Sequence, residues 1–435
     1  MSAPLRVLIA AEHASARFGG EAALPLHYFR VMRRRGLPVW LVTHARTRDE
    51  LEALYPGDPN IVYIEDTAFH RAMWRLGQRL PDRVSYLTFG FLSRLSTQWA
   101  QRRIVRRLVE RERIDVVHQP MPVSPREPSM LFGFGVPVVI GPMNGGMDYP
   151  PAFQRARGLA ERAFLFLGRA SASALNAIMP GKRLAATLLV ANRRTRAALP
   201  AGASRDVVEL VENGVDLTLW QAPVSSPPPD PVVHFVFMGR LVDWKAVDLL
   251  LRAFATACRA TPIRLSILGD GAERATLERL AAELGLEAGE GAPGSVHFAG
   301  WLPQSACAQR LALADCLVLP SLLECGGAVV LEAMSMAKPV IATAWGGPLD
   351  YLDDRCGMLV SPEISQQAFV ARFAAAMVAM ASSRHDRQRL GQSGLAKVRS
   401  EFDWELKVDR MLQIYAGAHR TSTATVAGSL DPRGE

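Results

Sequence analysis

Two basic residues stand close together after a predicted strand, where they could bind an anion. Arg240 follows the strand predicted at 232–238, and Lys245 comes five residues later, at the start of a helical pattern. Backbone amides and the positive end of a helix dipole favour phosphate at such a position, and an arginine can bind it through two hydrogen bonds. The pattern predicts a phosphate site. The alternative is a solvated arginine and lysine on a surface loop.

A second group combines carboxylates with glycines and follows the strand predicted at 315–319. Glu324 lies on the loop, Gly326 and Gly327 open the next helix, and Glu332 lies on its second turn. Glycines let a phosphate or a sugar ring approach the backbone, and carboxylates accept hydrogen bonds from sugar hydroxyls. The alternative is an ordinary helix start with one surface glutamate and one glutamate beside the core.

The N-terminal half offers a Gly-rich helix start and a histidine. Gly19 and Gly20 precede a helical pattern at 22–35, which makes them a further candidate phosphate site. His118 ends the strand predicted at 115–118, at the carboxyl edge where ligands and catalytic groups lie in open α/β sheets. The alternative for a lone histidine is a structural role.

These residues need a scaffold that brings strand ends together, and the sequence predicts one. Short β-branched segments alternate with helical patterns on both sides of a Pro-rich linker, 223–231, which is typical of parallel sheets with crossover helices. We therefore expect an α/β protein with two Rossmann-like domains, 1–222 and 232–402, facing a central cleft. An amphipathic helix is predicted at 403–420, followed by a disordered tail at 421–435.

The composition excludes several classes of protein. The 435 residues are 49% hydrophobic and 21% charged, which is typical of a globular chain rather than of a fibre or a disordered protein. Apolar runs are too short for a membrane-spanning helix or a signal peptide, so we expect the chain to stay in the cytoplasm. The five cysteines form no CxxC pair, which indicates reduced thiols.

The net charge of +8 is unevenly distributed, because the basic excess lies in the first 200 residues. In 69–80, apolar residues recur with helical spacing while Arg71, Arg75 and Arg79 lie on another face beside Trp74. Such a surface fits the interface of an anionic membrane. The alternative is a half-buried helix with a solvated arginine face. No aromatic–basic motif or helix-turn-helix spacing supports a nucleic-acid partner.

Taken together, the motifs resemble those of the family-4 retaining glycosyltransferases, also known as glycosyl transferases group 1, which have the GT-B fold. The similarity rests on segments ordered over most of the chain, among them Asn213-Gly-Val-Asp216, Gly239-Arg240-(x4)-Lys245, Gly269-x-Gly271, Glu324-(x7)-Glu332 and Gly346-Gly347. Each segment is common by itself, whereas their shared order and spacing are highly specific. The resemblance implies that the C-terminal helix crosses back to the N-terminal domain.

By position, the resemblance implies a role for each matched residue. Arg240 and Lys245 would hold the donor diphosphate, Glu324 would lie against the donor sugar, and Glu332 would bind the ribose hydroxyls. His118 corresponds to a histidine that faces the donor sugar, although many relatives have His-x-His there. Catalysis is thereby assigned to Arg240, Lys245, Glu324 and His118. The implied donor-binding residues are Gly19, Gly20, Arg240, Lys245, Glu324, Gly326, Gly327, Ala328, Val329 and Glu332.

The implied reaction makes a particular demand on these residues. Glycosyl transfer passes through an oxocarbenium-like state while negative charge grows on the departing diphosphate. The sequence has no Asp-x-Asp triplet, and the two cations with the amides at Gly20 and Gly327 could take the role of a metal ion. We therefore expect a metal-independent, retaining hexosyltransferase that needs no cofactor beyond its nucleotide-sugar co-substrate.

The acceptor side is less determined. Asn144, Gly145 and Gly146 lie in a Gly- and Pro-rich loop after a strand, which would shape the acceptor site or form only a tight turn. With the basic first domain, the resemblance favours transfer from a UDP- or GDP-linked sugar to a lipid-linked or oligosaccharide acceptor. The product would belong to exopolysaccharide, other cell-envelope polysaccharide or glycolipid biosynthesis. The protein would be peripheral on the inner face of the cytoplasmic membrane.

Two other functions fit parts of the sequence. A catalytically silent nucleotide-sugar-binding subunit would keep the fold, but its expected signature is the loss of Arg240, Lys245 or Glu324, and all three are present. A Rossmann dehydrogenase would explain Gly269-Asp-Gly271, but the third glycine of Gly-x-Gly-x-x-Gly is missing. Glycosyl transfer is therefore the preferred hypothesis, and the silent subunit is its alternative.

Overall fold

The computed structural model of the chain describes residues 4–80, 84–85, 88–154, 171–221, 230–363 and 365–429. The chain divides into two compact units, each made from more than one stretch of sequence. Unit 1 comprises Met1–Gly146, Gly158–Glu212 and Lys407–Glu435, and unit 2 comprises Met147–Arg157 and Asn213–Leu406. All but the last two residues of the predicted linker 223–231 lie outside the described residues.

Unit 1 contains one parallel sheet of seven strands. They are β1 (Val7–Ala10), β2 (Val39–His44), β3 (Ile61–Ile64), β4 (Val116–Gln119), β5 (Val138–Met143), β6 (Thr187–Val190) and β7 (Val207–Glu209). Their order is β3-β2-β1-β4-β5-β6-β7. Every residue of β1, β2, β4, β5 and β6 is buried, as expected where helices cover both faces of a parallel sheet.

Helices flank this sheet and complete its core. They span Gly20–Arg34, Arg48–Leu54, Ala68–Gly77, Phe89–Arg111, Gly181–Leu184 and Arg193–Ala197, with a 3-10 turn at Ala45–Thr47. Residues 171–178 are also helical. Val105 and Leu108 of the long helix pack against strand residues such as Val117 and Ile140. This packing fixes the carboxyl ends of the strands, where the candidate residues of unit 1 lie.

Unit 2 contains a second parallel sheet of seven strands. They are β8 (Val233–Met238), β9 (Ile263–Leu268), β10 (Glu287–Ala288), β11 (Ser295–Gly300), β12 (Cys316–Leu319), β13 (Val340–Thr343) and β14 (Gly357–Val360). Their order is β10-β11-β9-β8-β12-β13-β14. The predicted pair of Rossmann-like α/β domains is therefore confirmed. Strands β6, β7 and β10 were not predicted from the sequence.

The helices of unit 2 follow its strands in alternation. They span Val247–Ala257, Arg274–Glu283, Gln304–Ala312, Ala328–Ser335, Pro348–Tyr351, Gln366–Ser382 and Arg384–Glu401, with 3-10 turns at Pro151–Phe153 and Asp243–Lys245. Phe235 and Phe237 of β8 and Phe254 and Phe373 of two helices are almost completely buried. All five cysteines are free. Among the described helices, none is long and apolar enough to span a membrane.

The last helix, Trp404–Ser429, contributes its residues from Lys407 onward to unit 1. The Lys407 ammonium donates to the Val211 carbonyl, and Arg35 pairs with Asp409 at 2.6 Å. The predicted return of this helix to the N-terminal domain is confirmed. The disordered tail predicted from 421 is wrong as far as Ser429, because extending an existing helix avoids the cost of nucleation. Residues 430–435 lie outside the described residues.

The boundary between the units differs from the predicted one at 222. Unit 2 already begins at Asn213, whose side-chain amide donates to the Tyr351 hydroxyl at 3.0 Å. The Val215 amide donates to the Phe402 carbonyl at 2.8 Å. These bonds attach the segment before the Pro-rich linker to unit 2, and composition alone does not indicate them.

Candidate functional site

The first candidate site lies at the carboxyl ends of β8 and β12 in unit 2. The chain leaves β8 at Gly239 and makes a 3-10 turn at Asp243–Lys245. The Lys245 ammonium forms an ion pair with the carboxylate of Glu324, which lies on the loop after β12. Their side chains are only 15% and 12% exposed. Lys245 and Glu324 belong to motifs 79 positions apart, and the fold brings their side chains into contact.

The loop that carries Glu324 is fixed by its backbone. The Leu322 amide donates to the Trp244 carbonyl at 2.9 Å, and the Gly347 amide donates to the Glu324 carbonyl at 2.7 Å. A Cβ added at Gly347 would collide with the Gly326 carbonyl oxygen, so glycine is required at this contact. The structure thus explains why Gly346-Gly347 accompanies the Glu324 motif.

Gly327 starts the helix Ala328–Ser335 in a left-handed conformation, with φ of +83°. Glycine adopts this conformation without the steric cost that a side chain would bring. The first amides of the helix have no partner within it, which favours an anion in front of them. Ala328 and Val329 are half-buried on its first turn. The predicted donor-binding residues Gly327, Ala328 and Val329 therefore lie together at this helix start.

The ends of β8, β9 and β11 meet at the same edge of the sheet. The Gly239 amide donates to the Leu268 carbonyl at 3.0 Å, and the Gly269 amide donates to the Gly300 carbonyl at 2.8 Å. Gly269 has φ of +145°, and a Cβ there would collide with the Gly239 carbonyl oxygen. The glycines of three separate motifs therefore pack against one another at the carboxyl edge of the sheet.

Arg240 differs from Lys245 in its surroundings. It is exposed, and its guanidinium lies 5.9 Å from the centroid of the Trp244 ring. Within the described part of the chain, no carboxylate pairs with it, whereas Lys245 is already paired with Glu324. Arg240 is therefore the cation available to an incoming anion, and Lys245 would have to exchange its partner.

Glu332 lies on the helix Ala328–Ser335 and is half-buried. Burial raises the pKa of its carboxyl to about 7. Burial, and after it the charge of Glu332, raises the pKa of the Cys307 thiol to about 11. With a pKa near 7, this carboxyl can donate a hydrogen bond when protonated and accept from two hydroxyls when ionised.

In unit 1, Gly19 and Gly20 form the exposed start of the first helix. Gly19 has φ of +101°, and a Cβ added at either position would contact nothing within 4 Å. The preceding turn is anchored by Glu50, whose carboxylate accepts from the Ser15 hydroxyl and, at 2.8 Å, from the Ala16 amide. No sequence signal indicated this anchor, because the two partners belong to different elements.

His118 does not have the predicted environment of a catalytic residue. It has no exposed surface, its Nε2–H donates to the Gly141 carbonyl at 2.7 Å, and its Nδ1 accepts from the Tyr415 hydroxyl at 2.7 Å. Burial lowers the pKa of the imidazole to about 4. With both nitrogens used inside the core, His118 is structural, which corrects the catalytic assignment.

The predicted acceptor loop is likewise a structural turn. The Asn144 amide donates to the Val123 carbonyl at 2.9 Å, and the Gly145 amide donates to the Thr195 hydroxyl at 3.1 Å. A Cβ at Gly146 would lie 2.6 Å from that of Ala198. Asn144 and Gly145 are buried by these contacts, which favours the tight-turn alternative for them, whereas Gly146 is exposed.

A cavity of about 480 Å³ opens in unit 1 at the carboxyl edge of its sheet. Glu12 and His13, which follow β1 after Ala11, line the cavity together with Gln119 at the end of β4. Gln119 thus occupies the position that sequence reasoning gave to its neighbour His118. The signal that could have found the cavity is the Glu-His pair shortly after the first strand.

His44, Asp66 and His70 also lie together, with potential ligand atoms within 4.8 Å of one another. The His44 Nδ1 accepts from the Arg46 amide at 3.3 Å, and the His70 Nδ1 accepts from the Thr67 amide at 3.2 Å. These bonds leave the proton on each Nε2, where a metal ion would need a lone pair. The cluster is therefore not assigned as a metal site.

The predicted membrane-facing residues lie on the helix Ala68–Gly77 and just beyond it. Arg71, Trp74, Arg75 and Arg79 are all exposed, and Trp74 is 64% exposed. The apolar Phe69 and Leu76 are exposed as well, at 44% and 40%, while His70 and Gly77 face the protein. The predicted apolar stripe is therefore not the buried side of the helix, and aromatic and basic groups share the solvent-facing surface.

Residues 221–394 match the family model described as "Glycosyl transferases group 1". The chain is 32% identical over 252 residues to the D-inositol 3-phosphate glycosyltransferase of Thermomonospora curvata, covering 53% of this chain and 56% of the relative. It is 32% identical over 197 residues to the lipopolysaccharide core biosynthesis glycosyltransferase LpsE of Rhizobium meliloti, covering 45% and 53%. The chain thus spans about half the length of the curated relatives it matches.

The likeness to solved structures extends over nearly the whole chain. HepE of Anabaena, solved in complex with UDP, superposes with a TM-score of 0.61 and 15% identity, covering 95% of this chain and 100% of HepE. At this level of identity the superposition shows a shared fold. The expected group 1 resemblance and the GT-B fold are confirmed.

Proposed function

We propose that the protein transfers a sugar from a nucleotide diphosphate sugar, because residues 221–394 match the model of the group 1 glycosyl transferases and the chain has the GT-B fold. The donor is a UDP- or GDP-linked hexose, and transfer retains the anomeric configuration. The acceptor is a lipid-linked or oligosaccharide precursor of a cell-envelope polysaccharide, exopolysaccharide or glycolipid. The observation that carries the proposal is the ion pair of Lys245 and Glu324 beside Arg240.

The charges of this group match those of the reaction. As the glycosidic bond breaks, negative charge grows on the diphosphate, and preorganised cations aimed at that charge lower the barrier. Arg240 has no carboxylate partner among the described residues, so it can bind the diphosphate through two hydrogen bonds. The amides that follow Gly327 add a fixed positive potential. This set supplies what a divalent cation would otherwise supply, so the proposal includes no metal.

Glu324 has a second task in this scheme. In the free protein its carboxylate is neutralised by Lys245. When a diphosphate binds, the Lys245 ammonium turns toward it, and the Glu324 carboxylate becomes free to accept from hydroxyls of the donor sugar. The departing phosphate oxygen then takes the proton of the acceptor hydroxyl on the same face, which leads to retention.

Other observations support the donor and the location. HepE has been solved with UDP, which makes UDP the first nucleotide to test. The exposed Trp74 and Phe69 stand among the arginines of the helix Ala68–Gly77. Aromatic rings and cations on one surface favour an anionic lipid interface. We therefore place the protein at the inner face of the cytoplasmic membrane, close to a lipid-linked acceptor.

A binding experiment tests the donor site. The purified chain is screened by thermal shift and calorimetry against UDP, GDP, ADP and their common sugar conjugates in EDTA. We expect one nucleotide diphosphate to raise the Tm, because a ligand that binds only the folded state stabilises it. Lys245→Ala should abolish the shift. The matched control is Arg252→Ala, an exposed cation on the following helix, which should keep it.

The outcome also separates the enzyme from a silent subunit. Binding together with release of UDP or GDP from the sugar conjugate supports the transferase. Binding without any release, over hours and with lipid or saccharide acceptors present, supports the nucleotide-sugar-binding subunit instead. Absence of binding to every nucleotide in EDTA contradicts the proposed metal-independent site.

A further inference from the structure

The cavity of unit 1 contains polar groups that the protein itself leaves unsatisfied. The Gln101 side chain is 2% exposed, and its Nε2 has no hydrogen-bond partner. The His13 Nδ1 is buried and also has none. Both residues line the cavity. An unpaired buried donor is costly, so a ligand that supplies the missing partner gains that free energy on binding.

Glu12 lines the same cavity with a carboxylate that is 25% exposed. Burial, the largest effect, raises the pKa of this carboxyl. The charges of Arg94 and Arg46 lower the pKa of this carboxyl, but each has a smaller effect than burial. The His13 Nε2 lies 3.7 Å from the carboxylate, and burial lowers the pKa of that imidazole to about 4, so the ring is neutral. Among the described residues, no group donates a hydrogen bond to the Glu12 carboxylate, and it is therefore open to a ligand hydroxyl.

The charges around the cavity argue against an anionic ligand. Two arginines line it, but Arg94 pairs with Glu127 at 2.8 Å and Arg46 pairs with Asp66 at 3.1 Å. Glu12 and Glu127 add carboxylates to the lining. With Glu21, three carboxylate residues and two arginines line the cavity. A phosphate would have to approach these carboxylates and compete with Glu127 for Arg94, whose side chain is only 16% exposed, which is unfavourable in a site of low dielectric.

Part of the cavity lining is apolar and partly aromatic. Met73, Trp74, Leu80 and Phe89 contribute to the lining. Aromatic and aliphatic side chains bury the C–H face of a ring, while a few convergent polar groups fix its orientation. The combination of an unpaired donor, an open carboxylate and apolar, partly aromatic lining residues fits a compact ring that carries several hydroxyls.

We infer that this cavity binds an uncharged polyhydroxylated ring, a sugar or a cyclic polyol, and not its phosphorylated form. Glu12 accepts from one hydroxyl of the ring, and the Gln101 amide donates to another. Resting on the proposed function, the inference makes this ring the acceptor group and Glu12 the residue that orients its hydroxyl. It separates this chain from relatives whose names specify an inositol phosphate as substrate.

The test measures binding directly, without requiring transfer. Saturation-transfer NMR and calorimetry on the full chain, saturated with UDP, compare the methyl α-glycosides of glucose, galactose and mannose and myo-inositol with glucose 6-phosphate and inositol 1-phosphate. At least one neutral probe should bind at least 10-fold more tightly than either phosphorylated probe. Glu12→Gln and Gln101→Leu should each weaken that binding about 10-fold or more, with the Tm and UDP binding unchanged. The control is Glu110→Gln, an exposed carboxylate on the helix Phe89–Arg111.

Each result decides a separate question. Equal or tighter binding of the phosphorylated probes overturns the inference, and so does unchanged binding of the neutral probe in both variants. Failure of every neutral probe to bind while UDP still binds also overturns it and leaves the proposed donor site intact. Failure of both UDP and GDP to bind counts against the proposed function, whereas neutral-ring binding in that case still supports the cavity assignment.

Discussion

The ammonium of Lys245 and the carboxylate of Glu324 form an ion pair at the carboxyl ends of two neighbouring strands, β8 and β12, of unit 2. Both side chains are largely buried, so each would carry a substantial penalty if the other were removed. A bound ligand can replace both partners of this ion pair. An anionic diphosphate then binds Lys245, and sugar hydroxyls donate to Glu324. This exchange is the central claim of the proposed function.

Arg240 provides the first prediction. Because its guanidinium binds a diphosphate as a planar fork, Arg240→Lys keeps the charge but loses the bidentate geometry. We expect turnover to fall about 100-fold in Arg240→Ala and by an intermediate factor in Arg240→Lys, by analogy with the loss of one preorganised transition-state partner. Steady-state release of the nucleotide measures both. Equal rates in the two variants and the wild type would contradict the assignment.

Glu332 predicts a pH dependence of stability. Burial raises the pKa of its carboxyl to about 7 from an ordinary value of 4.5, so the folded state holds the proton more tightly than the unfolded state. The resulting stabilisation is complete below pH 4.5 and is lost as the pH rises through 7. Between pH 5 and 8 the free energy of unfolding should fall on the order of 2 kcal/mol more in the wild type than in Glu332→Gln. Denaturant titrations at both pH values measure it, and parallel changes would refute the shift.

His118 provides a prediction that separates structure from catalysis. Replacing it by Asn removes buried hydrogen bonds to Gly141 and Tyr415, which should cost about 2 to 4 kcal/mol of stability. Per folded molecule, kcat should stay within about 3-fold, since the ring contacts no ligand site. Tyr415→Phe, which removes one of the bonds, should cost about 1 kcal/mol. A loss of kcat of about 100-fold with unchanged Tm would instead restore a catalytic role.

The low pKa of His118 also predicts a loss of stability at acid pH. Burial lowers it to about 4 from an ordinary 6.5, so the unfolded state binds the proton more tightly. The contribution of the neutral ring to stability is present above pH 6.5 and is lost as the pH falls toward 4. The Asn variant should show a smaller decrease in Tm over this range.

The exposed surface of the helix Ala68–Gly77 predicts salt-sensitive membrane binding. Vesicles containing phosphatidylglycerol should bind the wild type at low salt and release it as ionic strength rises. Binding should weaken in the triple variant with Gln at Arg71, Arg75 and Arg79, and also in Trp74→Ala. Arg410→Gln, an exposed cation on the last helix, is the control. Sedimentation assays in which the triple variant binds like the wild type would exclude this surface.

Much of the fold could be predicted from the sequence because its strands are buried on both faces and read as continuous apolar runs, as in Val39–His44 and Val340–Thr343. Short strands such as Val207–Glu209 lacked that signal, being only partly buried. The donor site was predictable because Arg240 and Glu324 stand within local motifs. For the unit 1 cavity, the Glu-His pair after β1 is the one local signal, whereas Gln101 joins the same lining only through packing.

The direction of the His118 side chain could not be predicted from the sequence. Its place at a strand end suggested chemistry, but successive residues of a strand face opposite sides, and it is Gln119 that lines the cavity. The sequence could not indicate which of the two neighbours faces inward, because the partner that buries His118 is Tyr415 on the last helix, almost 300 positions away.

The exchange between Lys245 and Glu324 is tested most directly by nucleotide release in EDTA from the sugar conjugate that binds, comparing the wild type with Glu324→Gln. Glu278→Gln, an exposed carboxylate on the helix Arg274–Glu283, is the control. We expect the wild type and the control to turn over alike without metal and Glu324→Gln to be slower by about 100-fold, while its affinity for the free diphosphate stays within about 10-fold. Turnover by Glu324→Gln at the wild-type rate, or turnover only after a divalent metal is added, would contradict the account.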